Sequence, residues 1–252
     1  MKKLTTLVIA ILAFTYSSKA QADPETVKSF RHLLQLIQAD NTKELSKLVE
    51  YPLKRTYPLP DIKNANEFIA YYPTLFDKPF KQLLAKNKNS EVWERNGYYS
   101  LEGLAGEIWM TDAGKIQTIN YSSPAEEQHR QALIAAQKKQ MHPSVSNWNE
   151  NVVNARSEKL LVRIDRIANN DLRYACWGKG KTMKDAPDLI LYKGTEEAQG
   201  TMGGWTWTFT NNGWTYIVDQ VEMCDDPKYC GLFLELQYGG QTKSRTKLKE
   251  IP

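Results

Sequence analysis

Apolar positions along the first hundred residues recur at helical spacing, and the spacing then changes. In "TVKSFRHLLQLIQA", residues 26–39, Val27, Phe30, Leu33, Leu34 and Ile37 fall on one stripe, which predicts an amphipathic helix. "DNTKELSKLVEYP" supplies cap residues and then Leu45, Leu48 and Val49, a second short helix. "YPLKRTYPLP" holds three prolines and reads as an extended, edge-like segment. "NANEFIAYYPTLF" and "DKPFKQLLAKN" predict two more helices, the second with Asp77 as N-cap.

From residue 90 the period is two. "SEVWERNGYYSL" and "AGEIWMTDAGKIQTINYS" read as strands, with "DAGK" a hairpin turn and Gly114 in its left-handed position. Ile116 and Ile119 do not share one strict face, which predicts a bulge or twist nearby. "SPAEEQHRQALIAAQKKQMHP" is the next helix. Ser123 caps it, Pro124 opens it, basic residues gather at its end and Pro143 stops it. His142 beside that C-terminus reads as a charge complement. "SVSNWNENVVNA" is short and polar and marks the best boundary.

Beyond Glu158 almost everything is strand. "EKLLVRIDRI", "LRYACWGK", "DLILYKG", "GGWTWTFTNNGWTYIVDQVE" and "LFLELQYGGQ" are separated by Gly, Asn, Asp and Pro turns. The pattern predicts an α+β protein: helices on a curved, cone-like antiparallel sheet, then an antiparallel β barrel or sandwich. The expected division is residues 1–22 as a signal peptide, 23–123 as the cone-like domain, 124–150 as connecting helix and linker, and 151–252 as the β-domain.

The signal peptide rests on the basic head Lys2-Lys3, the apolar run Leu4 to Phe14 and the small-x-small site Ala20-Gln21-Ala22. Cleavage near Ala22 implies a periplasmic or secreted protein with no membrane span in its mature form. It also changes the charge. The chain has 33 basic and 29 acidic residues, and losing Lys2, Lys3 and Lys19 leaves a net charge of about +1. A nucleic-acid footprint is therefore not expected. In an oxidising compartment Cys224 and Cys230 are placed to close "CDDPKYC", a turn-prone loop. A loop this short gains little chain entropy from the bond. Cys176 is then left over, either as a small buried apolar residue or as the true partner of one of the others.

The aromatic hairpin 205–219 is the chief candidate for binding. Trp205, Trp207 and Phe209 share one face, and Trp214, Tyr216 and Val218 share a face on the return strand. The first reading puts these rings in the core and the threonines on the wet side. The second makes Trp205, Trp207, Trp214 and Tyr216 a stacking platform for a sugar ring or a patch for a protein.

Catalytic signals are sparse. The three histidines, His32, His129 and His142, lack zinc spacing, no C-x-x-C is present, and no cofactor motif appears. "GKGK" at 178–181 is a turn. Cys176 within "RYACWG" reads as a buried thiol. Glu102, Glu107, Asp112 and Asp165 could serve a carboxylate hydrolase, but no spacing selects them. Asp165 and Arg163 read as the wet side of a strand, and Asp225-Asp226 lack the ligand count of a calcium loop.

"FRHLLQLIQADNTKELSKLVEYPL" and "GEIWMTDAGKIQTINYS" give residues 25–122 an order that resembles the nuclear-transport-factor-two-like superfamily. That resemblance implies a cone-shaped architecture, which serves both enzymes and binding modules, and no particular activity. The Asp–His pair of its catalytic members has no match here. "DAPDLILYKGTEEAQGTMGGWTWTFTNNGWTYIVD" resembles segments of uncharacterised exported bacterial proteins, which implies an envelope location. The combined expectation is a non-catalytic recognition protein without a cofactor. Its partner would be an envelope protein, in the manner of an inhibitor or immunity factor. A glycan or peptidoglycan-fragment binder and a carboxylate hydrolase are the alternatives.

Overall fold

The computed structural model describes residues 22–200 and 203–251; the signal-peptide segment 1–21 lies outside them. The chain forms two compact units. The first comprises the chain up to Lys54 and Asp61–Glu126, and the second Arg55–Pro60 and Glu127–Pro252.

The first unit packs helices on one face of a small sheet. Helix α1 (Pro24–Gln38) starts where the Asp23 carboxylate accepts from the N–H groups of Glu25 and Thr26, both at 3.0 Å. It buries Phe30, Leu33, Leu34 and Ile37. Helices α2 (Thr42–Ser46), α3 (Ala65–Leu75) and α4 (Lys78–Lys86) follow, and Asp77 caps α4 by accepting from the Phe80 N–H at 2.9 Å. Strands β1 (Val92–Arg95), β2 (Tyr98–Leu101), β3 (Ile108–Thr111) and β4 (Ile116–Ile119) form an antiparallel meander. The register slips between Trp109 and Met110. That slip lets Ile116 and Ile119, three residues apart, both turn inward, and both are buried. Phe68 meets Tyr72 edge-on, and Tyr72, Phe76, Phe80 and Tyr121 stack in sequence in this core.

The second unit is a nine-stranded antiparallel sheet curled into a half barrel. Its strands are β5 (Glu150–Arg156), β6 (Leu160–Arg166), β7 (Leu172–Gly178), β8 (Leu189–Tyr192), β9 (Thr195–Ala198), β10 (Trp205–Asn211), β11 (Trp214–Val221), β12 (Gly231–Tyr238) and β13 (Gln241–Glu250). The sheet order runs β8-β7-β6-β5-β13-β12-β11-β10-β9. Its two outermost strands, β8 and β9, are consecutive in the chain and separated only by Lys193-Gly194. The strands thus wind in chain order from β5 to β13, and β13 returns to β5 through Lys249↔Arg156 and Glu250↔Ala155.

The hollow of the curl is filled. Val153, Ile164, Tyr174, Trp207, Phe209, Val218 and Leu234 pack into one cluster. The outer face of β6 and β7 is covered by helices α5 (Pro124–Gln140) and α6 (Pro143–Ser146). Ile134, Met141, Val145 and Trp148 pack there against Ala175 and Trp177.

Three sequence readings change as a result. The segment 144–155 is no open linker, since Val145 is fully buried and Trp148 is 1% exposed. The expected connection 124–150 groups with the second unit from Glu127 onward. His142 does not complement the end of α5; its Nδ1 accepts from the Ser144 N–H at 3.3 Å and caps α6.

Candidate functional site

The four candidate binding residues of the hairpin, Trp205, Trp207, Trp214 and Tyr216, do not form one surface. Trp207 is 4% exposed, and its indole N–H donates to Glu196 Oε1 at 2.8 Å. Tyr216 is half-buried against the ring of Tyr174, with centroids 5.8 Å apart. Trp205 and Trp214 are exposed, but they stand at opposite ends of the hairpin, because Trp205 opens β10 and Trp214 sits opposite Asn211 at its close. Six residues of strand separate the two ends, roughly 20 Å. Trp214 instead pairs with Tyr238, centroids 5.0 Å apart.

The cysteines divide as one bond and one thiol. Cys224 and Cys230 are joined, with Cα atoms 5.7 Å apart, and Cys176 is free. Burial pushes the Cys176 thiol up from its ordinary range, which disfavours the reactive thiolate. Asp226 caps the 3-10 turn Pro227–Tyr229 by accepting from the Lys228 N–H at 2.9 Å. Among the described residues no group of three or more His, Cys, Asp or Glu could hold a metal ion.

Asp165 and Arg163 are not on a wet face. Both are almost fully buried beneath α5 and α6, which cover the outer side of β6. Asp165 Oδ2 accepts from Arg163 Nε at 2.9 Å and from Arg173 Nη2 at 2.8 Å, and Oδ1 accepts from Asn151 Nδ2 at 3.1 Å. Arg173 also donates to the carbonyls of Val145 and Asn147, while its Nε is buried without a hydrogen-bond partner. Glu102, Glu107 and Asp112 belong to the other unit. Burial raises the Glu107 carboxyl above its ordinary range.

A wide recess of the second unit is a seam that the sequence did not single out. β13 pairs with β12 from Gln241 to Leu248 but touches β5 only at its last two residues. β5 ends at Arg156, so the rest of β13 runs on past it, and a cleft of about 1000 Å³ opens between the β5–β6 turn and β13. Arg156, Lys159, Lys247 and Lys249 line it, against the single carboxylate of Glu158. None of these four cations is ion-paired among the described residues. Lys243, Arg245, Lys247 and Lys249 alternate along β13, so they share one face of the strand. Of them Arg245 meets Asp219 at 3.5 Å. The signal was legible only as an alternation of basic residues in "QTKSRTKLKE"; that this strand keeps a free edge depends on the curl of the sheet.

The first unit carries a smaller recess of about 480 Å³ on the sheet face turned away from its helices. Arg95, Tyr98, Trp109, Gln117 and Asn120 line it. Trp109 meets Trp93 edge-on, centroids 4.9 Å apart. Rings flanked by amides and a guanidinium suit a hydroxyl-rich ligand.

No protein-family model matches the chain, and comparison with curated proteins and with solved structures likewise finds no match. Among the described residues no helix is long and apolar enough to cross a membrane.

Proposed function

We propose that the chain is an exported, non-catalytic recognition protein of the bacterial envelope, and that it captures an acidic, extended segment of another protein along the free edge of β13. The observation that carries this reading is the cationic seam. An unpaired strand edge offers main-chain donors and acceptors to an incoming strand. Lysines on such an edge discourage pairing with a second copy of the same strand. They favour a partner that brings carboxylates, which also speeds encounter. The cone-like first unit is read as a scaffold of the nuclear-transport-factor-two-like kind, and helices on one face of a four-stranded meander support that reading.

The test is fluorescence anisotropy with a labelled peptide of alternating Glu and Val, and a Lys-for-Glu peptide as control. The acidic peptide should bind and weaken steeply with salt. The pair Lys247→Glu and Lys249→Glu should cost at least tenfold in affinity. Equal binding of the two peptides, or no binding of either, defeats the reading.

A second reading has its own observation. The Trp109 recess suits a glycan or peptidoglycan fragment, with the saccharide stacked on the ring and held by Arg95, Gln117 and Asn120. Quenching of tryptophan fluorescence by muropeptides, lost in Trp109→Ala, would support it. An unchanged spectrum would remove it.

A further inference from the structure

The charges beneath α5 and α6 do not balance. Asp165 is the one carboxylate bonded to two guanidinium groups, so the buried trio Arg163, Asp165 and Arg173 carries one formal positive charge. Buried charges are ordinarily paired, and an unpaired one is costly. Arg173 spreads its charge over two carbonyls and leaves only its Nε without a partner; it does not line the pocket that Arg163 borders. Arg163 has fewer outlets. Its Nε is on Asp165, its Nη1 meets the sulfur of Met183 at 3.9 Å, and its plane lies 4.8 Å from the Trp148 ring. Its Nη2 is buried and has no hydrogen-bond partner.

Arg163 forms part of the wall of a pocket of about 210 Å³ in the second unit. Tyr57, Asn154, Thr182, Met183 and Lys184 also line it, and no carboxylate is among its lining residues. Asn154 stands opposite Arg163 across β5 and β6. Its Nδ2 donates to the Ile251 carbonyl at 3.3 Å, while its Oδ1 is buried and unpartnered. The pocket is therefore lined by one residue with an unused guanidinium donor and one with an unused amide acceptor, on neighbouring strands, both atoms buried just behind its surface. Lys184 adds a second cation.

We propose that this pocket binds a small ligand bearing a carboxylate with an adjacent N–H: a free amino acid or the C-terminal residue of a peptide. The carboxylate takes the open donor of Arg163 with help from Lys184, and the neighbouring N–H donates to Asn154 Oδ1. The volume is that of roughly seven liquid waters at ~30 Å³ each, enough for one residue with a small side chain. Met141 and Met183 give that side chain an adaptable apolar wall. The site stands apart from the β13 seam and does not depend on it.

Calorimetry and thermal shift on the mature chain test this with four probes: N-acetylalanine, alanine, acetate and N-acetylalanine amide. N-acetylalanine or alanine should bind and raise the melting temperature, and which binds tighter tells a peptide end from a free amino acid. Acetate should bind at least tenfold more weakly, and the amide should not bind. Lys184→Met, a change at an exposed side chain, should weaken the binding several-fold. Arg163→Lys should weaken it further. Should Arg163→Lys fail to fold, Asn154→Ala serves instead: it should erase the preference over acetate. The Lys247→Glu and Lys249→Glu variant should bind all probes as the parent does. Binding of the amide or acetate as tightly as N-acetylalanine, or no binding of any probe, overturns the proposal.

Discussion

A Cβ added to Gly194 would lie 2.3 Å from the ring of Phe209. Gly194 belongs to the two-residue link between β8 and β9, and Phe209 belongs to the interior of the curl. The link therefore passes so close over a core ring that only hydrogen fits. Gly194→Ala should destabilise the second unit by about 1–3 kcal/mol, the usual cost of overpacking. Thermal melts of Gly194→Ala, Phe209→Leu and the double variant would check it. The two changes should couple, because trimming the ring makes room for the methyl. Additive effects would show that the clash relaxes elsewhere.

Asp165 holds two arginines under the helical cover. Asp165→Asn should leave both guanidinium groups short of charge in a buried place and cost about 3–5 kcal/mol. Urea unfolding at neutral pH measures this. A loss below 1 kcal/mol would mean that water reaches the trio.

The Cys224–Cys230 bond closes a seven-residue loop, for which chain entropy alone gives roughly 2 kcal/mol. The Cys224→Ser, Cys230→Ser variant should therefore keep its fold and lose about that much stability. Thiol titration should find Cys176 slow to react in the folded protein at pH 8 and fully reactive in denaturant.

Glu107 sets a pH dependence in the first unit. Burial holds its folded pKa above the unfolded value, so the folded state binds the proton more tightly. The stability it contributes is complete below the ordinary glutamate range and fades as pH rises through the raised value. Glu107→Gln should flatten that decline. Tyr121, whose hydroxyl is pushed up to about 12 chiefly by burial and then by Asp77, adds nothing in this window. An identical slope in the variant would assign the decline to another group.

Local signals carried much of the fold. The Asp77 cap, the Gly114 hairpin and the slip beside Ile116 all follow from residues close in sequence. The inward set Trp207, Phe209 and Val218 followed from period two alone. What parity cannot reveal is whether a strand's second face meets water or a helix. That is why Arg163 and Asp165 read as surface and are core. The seam was hidden for a related reason: a free strand edge is a property of the whole curl, set by the register that leaves β13 running past the end of β5.

The winding of the β unit in chain order has a topological corollary. Its first and last strands are neighbours in space: the Ile251 N–H donates to the Asn154 carbonyl at 2.8 Å. A nascent chain can lay down each hairpin on the one before it, and only the final strand must find a distant mate. The molecule is thus a spool whose last turn is tied by a handful of bonds, so a ribosome that stops a dozen residues early releases a wound sheet with nothing to fasten it.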